Sequence, residues 1–136
     1  MKEHRFRIRV RYPETDRMGV VHHSHYLVWF EIGRTELLRD LGMPYAALEA
    51  EKVFMPVIEI GARYRAPVRY DEEVEVATRL EEVTGVRVRF GYRLLRLAGE
   101  EPVATGFSLH AAVGADGAPR RLPRELRERL EFLVEA

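Results

Sequence analysis

A chain of 136 residues, 46% apolar and with no net formal charge, is one domain with a core, and neither a disordered segment nor a general nucleic-acid binder. It contains no cysteine, which excludes disulfides, thiol catalysis and thiolate metal sites. Its apolar runs are too short to span a bilayer and MKEHRFRIRV lacks an apolar leader, so a cytoplasmic protein without membrane insertion is expected. Asn and Gln are absent too, which suits a hot habitat. Twenty Arg stand against two Lys, a bias that GC-rich coding explains equally well.

Phe6, Ile8, Val10 and Tyr12 alternate with Arg5, Arg7, Arg9 and Arg11, the period of a strand with one buried and one cationic face, ended by Pro13. After a loop over Glu14 to Val21, the residues Tyr26, Phe30, Gly33, Leu37 and Leu41 recur at helical spacing, until Gly42 and Pro44 stop the helix. Gly33 in its middle costs about 1 kcal/mol relative to alanine, which signals close approach to a sheet. Tyr45 to Lys52 adds a short helical piece. Four strand-like runs follow: Ile58 to Ala66, Glu73 to Leu80, Val86 to Leu94 and Val103 to Val113. Turns are expected at Tyr70-Asp71-Glu72, Thr84-Gly85, Ala98-Gly99-Glu100 and Ala115-Asp116-Gly117. Pro123 to Val134 closes the chain as an amphipathic helix with Leu126, Leu130 and Leu133 inward.

The expected class is therefore α+β: one strand, one long helix, a four-strand meander making a five-stranded antiparallel sheet, and a C-terminal helix. One helix covers one sheet face. The small side of the last strand (Ala104, Gly106, Ser108, Ala112) is expected to meet another subunit, giving a homodimer or homotetramer.

Asp16 stands one short turn before His22, His23 and His25, and these histidines open the long helix. A helix start carries unpaired N–H groups and the positive end of the peptide dipole. A carboxylate beside it supplies the base or nucleophile, and the amides the oxyanion donors, that acyl transfer needs. A lone aspartate in a turn more often bonds its own backbone. Ser24 is a candidate helix cap. Zinc is disfavoured: no H-x-x-x-H pair accompanies the cluster, so neither a metal nor any other cofactor is expected.

Specific runs sharpen this picture. R-x-R-Y at Arg9 to Tyr12, T-D-x-x-G-V-V at Thr15 to Val21, H-x-x-Y at His23 to Tyr26, F-E-x-x-R-T-E-L-L at Phe30 to Leu38 and Y-x-A-P-x-x-Y-D-E at Tyr64 to Glu72 resemble the hotdog-fold 4-hydroxybenzoyl-CoA thioesterase superfamily. Within it they are most similar to the bacterial acyl-CoA thioesterases associated with the Tol-Pal system. The resemblance runs from Arg9 to about Leu130, and implies a sheet wrapped around the long helix and an acyl-CoA substrate at a subunit interface. It makes Asp16 catalytic, as base or nucleophile, places a backbone amide against the thioester oxygen at His23, and makes the His23 side chain a second catalytic candidate. His22, where tyrosine is commoner, and the additional His25 depart from the pattern.

Substrate contacts are then expected from Gly19, Tyr26 and Phe54, with core packing the competing role for the aromatics. Arg87 and Arg89, within an arginine set that includes Arg63, Arg65, Arg93, Arg120 and Arg121, are candidates for the CoA phosphates. A hotdog β-hydroxyacyl dehydratase needs a histidine and a carboxylate facing the acyl α- and β-carbons, which the short loop from Asp16 to His23 does not obviously supply. A non-catalytic acyl-CoA sensor needs no carboxylate at position 16.

Overall fold

The computed structural model describes residues 3–97 and 101–135; the turn expected at Ala98-Gly99-Glu100 lies outside the described residues. The elements are β1 (Glu3–Arg9), α1 (Ser24–Asp40), α2 (Tyr45–Ala50), β2 (Val57–Tyr64), β3 (Glu73–Val83), β4 (Arg87–Arg96), β5 (Pro102–Ala111) and α3 (Arg124–Glu135), with a short 3-10 turn at Tyr12–Glu14. Five antiparallel strands form one sheet in the order β1-β3-β4-β5-β2. The expected four-strand meander is thus a three-strand one. β2 pairs with β5 at the far edge, and the chain from Arg65 to Glu72 carries it back across the sheet to β3.

The helix α1 lies against one face of this sheet and fills the core with Trp29, Phe30, Leu37 and Leu38. Close approach needs room on both sides. A Cβ on Gly33 would stand 2.5 Å from Thr78 Oγ1 and 2.6 Å from Val76 Cγ1, so the expected contact is there. On the sheet side, a Cβ on Gly106 would stand 2.5 Å from the Phe30 ring. The small face of β5 therefore faces α1: Ala104, Ser108 and Ala112 are buried inside the protomer. That corrects the expectation that these residues form a subunit contact. Phe30 is large, and β5 recedes to accept it. α3 packs against β3, burying Leu126 and Leu130, and Arg129 Nη1 donates to the Leu41 carbonyl at the end of α1 at 2.6 Å.

On the opposite face the charges largely answer one another. Arg5 and Arg9 of β1 pair with Glu75 and Glu73 of β3, Glu3 receives Arg93 at 2.7 Å, and Glu72 receives Arg96. Two faces differ from their sequence pattern. Tyr12 follows Val10 in alternation but is 74% exposed, because the 3-10 turn breaks the strand before it. β2 alternates like a half-buried strand, yet Val57, Ile58, Ile60 and Tyr64 are 40%, 48%, 37% and 47% exposed, because this strand ends the sheet.

Candidate active site

The segment between β1 and α1 is organised by a residue the sequence did not single out. Glu14 is buried, and its carboxylate accepts the Arg11 amide at 2.7 Å and the Trp29 indole N–H at 2.9 Å. Its carbonyl accepts the His22 amide at 2.9 Å. Burial alone raises a carboxyl pKa, but these donors outweigh it and hold Glu14 below its ordinary value. One side chain thus ties the start of the loop to the middle of the first helical turns.

Within the loop, Thr15 bridges Val21, the Asp16 amide donates to Val20 O at 2.8 Å, and the Gly19 amide donates to Asp16 O at 3.0 Å. This tight return requires the positive φ of Gly19, +78°. Val21 then donates to Val68 O at 2.8 Å, and Val20 bridges Arg69, so the loop lies against the β2–β3 connection. Asp16, half-buried, takes the Met18 and Val20 amides on Oδ1 at 2.8 and 3.4 Å. That is the turn aspartate's local bonding, and it occupies one oxygen only. Oδ2 has no partner among the described residues.

His23 is the N-cap residue of α1, and its amide has no acceptor among the described residues. Its carbonyl receives the Tyr64 hydroxyl and the Tyr26 amide, both at 3.3 Å. The His22 and His23 rings lie 4.3 Å apart, with Tyr64 edge-on to His23 at 6.1 Å. Ser24 does not cap the helix; His22 Nδ1 receives the Ser24 amide at 3.3 Å and lies 2.9 Å from its hydroxyl. No histidine of the cluster bonds Asp16 directly. Among the described residues, no three His, Asp or Glu side chains converge as a metal set.

The remaining expected site residues separate. Tyr26 lies under the helix start, 4% exposed, packed on Trp29 at 5.4 Å and Tyr64 at 5.0 Å, and burial raises its phenol pKa. Core packing is its role within the protomer. Phe54 lines a cleft of about 580 Å³ bordered by Glu31, Arg34, Tyr45, Met55 and Val57. Arg87 and Arg89 belong to the sheet face away from α1, where Arg89 bonds Glu81 at 3.2 Å and its guanidinium lies 4.1 Å from the centre of the Phe107 ring.

A buried polar chain runs inward from that cleft. Met55 O lies 3.0 Å from His110 Nδ1, His110 Nε2 lies 2.8 Å from Ser108 Oγ, and Ser108 Oγ lies 2.5 Å from the Tyr92 hydroxyl. Burial pushes the His110 pKa down to about 4, so the ring is neutral at pH 7. A carbonyl only accepts, so Nδ1 carries the proton and Nε2 accepts from Ser108. Ser108 then accepts from Tyr92, and the Tyr92 oxygen is left to accept from Arg34 Nη1 at 3.5 Å. Sequence patterning gave no sign of this chain, since His110 and Ser108 occupied a face read as solvent- or subunit-facing.

The sheet wrapped on α1 is the hotdog arrangement, with a carboxylate loop delivered to the helix start. The thioesterase-like superfamily model matches residues 10–130, and the chain belongs to that superfamily. It is 45% identical over 93 residues to YneP of Bacillus subtilis (strain 168), covering 68% of this chain and 67% of that protein. It is 36% identical over 91 residues to the acyl-CoA thioester hydrolase YbgC of Escherichia coli O6:H1, covering 67% and 68%. The crystal structure of TT1821 from Thermus thermophilus superposes with a TM-score of 0.91 at 42% identity, over 97% of this chain and 98% of that one.

Proposed function

We propose that this protein hydrolyses acyl-CoA thioesters at the start of α1, with Asp16 and the His23 amide as the chemical pair. The observation that carries this is the unpaired His23 amide at a helix N-terminus, reached by a loop whose aspartate keeps Oδ2 free. The thioester carbonyl oxygen accepts from the His23 N–H, which stabilises the negative charge that grows on it during attack. Asp16 Oδ2 either takes a proton from an attacking water or attacks the carbonyl carbon itself, forming an anhydride that water opens. In both routes the C–S bond breaks, the sulfur leaves as CoA thiol, and the acyl group leaves as a carboxylic acid. The His23 side chain positions water or Asp16. Family membership and the hydrolase activity of YbgC support the reaction class.

The active unit is a homodimer or homotetramer. Support comes from β2, an edge strand bearing exposed Val57, Ile58, Ile60 and Tyr64, which a second copy would cover. The T-D-x-x-G-V-V and F-E-x-x-R-T-E-L-L runs favour the Tol-Pal-associated branch of these enzymes. No helix among the described residues is long and apolar enough to cross a membrane, and a cytoplasmic location is in keeping with a CoA substrate. The test is thiol release across a panel of acyl-CoAs and acyl carrier protein thioesters. Turnover of at least one acyl-CoA is expected; no release from any member contradicts the reading.

A further inference from the structure

Tyr12 and Tyr70 each stand in a run that the sequence singles out, yet neither packs in the core: they are 74% and 57% exposed. The two rings meet edge to face, with centroids 5.8 Å apart and planes at 85°. Such a contact contributes about 0.5–1.5 kcal/mol, and most of both rings stays open to solvent. Both are presented from anchored turns. Tyr12 opens the 3-10 turn, and its carbonyl accepts the amide and the hydroxyl of Thr15 at 3.0 and 2.7 Å. Tyr70 precedes Asp71, whose φ of +70° is held by its amide on Val10 O at 3.0 Å and by Arg9 Nη1 on its carbonyl at 2.7 Å. The aromatic corner is therefore preformed.

It also brackets the loop that carries Asp16. Tyr12 leads through Thr15 into Asp16, and four residues separate two Cα atoms by at most about 14 Å. Tyr70 follows Arg69, which bridges Val20, and a Cβ placed on Gly19 would stand 3.9 Å from Arg69 Nη1. The charges around the corner fall into two groups. Arg9, Arg11 and Arg96 are committed to the carboxylates of Asp71, Glu14 and Glu72. Arg17 and Arg69 are exposed and have no carboxylate partner among the described residues. Open aromatic rings stack a planar base, and arginine suits phosphate. One ligand that joins a base to phosphates and carries a thioester on a long arm answers both features.

We propose that the Tyr12–Tyr70 corner stacks the adenine of CoA, with Arg17 and Arg69 on its phosphates. The ligand's identity rests on the thioesterase reading above. Replacing both rings, Tyr12→Ala with Tyr70→Ala, is expected to raise KM for acyl-CoA about ten- to a hundredfold, the loss expected when a stacked base loses its aromatic partners. kcat at saturation should hold, as should kcat/KM for the matching acyl-pantetheine, which has no adenine to lose. Tyr12→Phe with Tyr70→Phe keeps the rings and should keep the wild-type KM. Parallel losses on both substrates would make the rings structural, a loss in the Phe variant would assign the work to the phenols, and a changed oligomeric state in the Ala variant would give the corner to a second copy. Each of these results overturns the proposal. Binding supplies an arm free of turnover. Wild-type protein should bind CoA more tightly than pantetheine, and saturating the tyrosine ring protons should transfer to the adenine protons of bound CoA. CoA bound without that transfer overturns the proposal even if the Ala variant does not fold. Transfer without hydrolysis of any acyl-CoA would remove the thioesterase reading and leave the nucleotide site standing.

Discussion

Replacing Glu14 by Gln isolates the bonds that hang the candidate catalytic loop on the core. The glutamate offers an oxygen to each of two donors, the Arg11 amide at 2.7 Å and the buried Trp29 N–H at 2.9 Å. Gln keeps the shape but has one carbonyl oxygen, so its NH₂ must face the donor that loses out. A buried N–H without an acceptor costs about 1–3 kcal/mol, and the lost charge removes the stronger of the two kinds of hydrogen bond. A net loss of about 2 kcal/mol lowers Tm by roughly 6 °C in a domain of this size. Thermal unfolding at pH 7 and fixed protein concentration reads this directly. The pH dependence adds a second check. Because the carboxyl pKa lies below its ordinary value in the folded protein, its stabilising contribution is present above about 4.5 and is lost as pH falls through the lowered value. The gap between wild type and Glu14→Gln should therefore close in acid. The Glu14 carbonyl also holds the His22 amide, so disturbance of this corner should shift Asp16 and lower kcat/KM about ten- to a hundredfold. Equal Tm values at pH 7 would refute the assignment of Glu14 as the anchor.

Gly33→Ala sets helix propensity against packing: the gain is about 1 kcal/mol, but contacts of 2.5 and 2.6 Å against Thr78 and Val76 imply overpacking that costs about 1–3 kcal/mol or more. Urea unfolding should show net destabilisation, and a stabilised variant would mean that α1 does not approach the sheet this closely. His110 titrates near 4 when folded and near 6.5 when unfolded, so the unfolded chain binds more protons between those values, and stability falls as pH drops through that window by about 3 kcal/mol. His110→Gln keeps a donor for Met55 O and an acceptor for Ser108 without titrating; Tm plotted against pH should be flatter for it, and parallel curves would count against a buried neutral His110. Arg69 bridges the Asp16 loop and has no acidic partner among the described residues, whereas Arg89 is occupied by Glu81 and Phe107. Arg69→Ala should raise KM for acyl-CoA more than for the matching acyl-pantetheine, while Arg89→Ala leaves both near wild type; the opposite pattern would return the phosphate site to β4.

Periodicity was enough to find the five strands and three helices of the described residues, because their apolar positions recur at 2.0 or 3.6 residues, even in β2, which buries neither face within the protomer. Gly33 announced the helix–sheet contact, since glycine inside a helix is otherwise unfavourable. Which face of β5 turns inward was not legible: Ala104, Gly106 and Ser108 look like a surface for close contact, and nothing local says that the partner is Phe30 of the same chain. The order β1-β3-β4-β5-β2 was hidden for a similar reason, as the crossover after β2 depends on long-range pairing. At the site, Asp16, Gly19 and His23 stood out because they share one short run. Glu14, Arg34 and His110 did not, because each owes its meaning to partners far along the chain: Trp29, Tyr92 and Met55.

The most direct test of the chemistry is Asp16→Asn. Asn keeps the side-chain oxygen that takes the Met18 and Val20 amides, so the loop should persist, while the charge and the basic or nucleophilic oxygen are removed. With secondary structure, Tm and oligomeric state matched to wild type, kcat for acyl-CoA hydrolysis should fall about a hundred- to ten-thousandfold with KM little changed. A variant matched in those respects that hydrolyses acyl-CoA at near the wild-type rate would contradict the assignment of Asp16 as base or nucleophile.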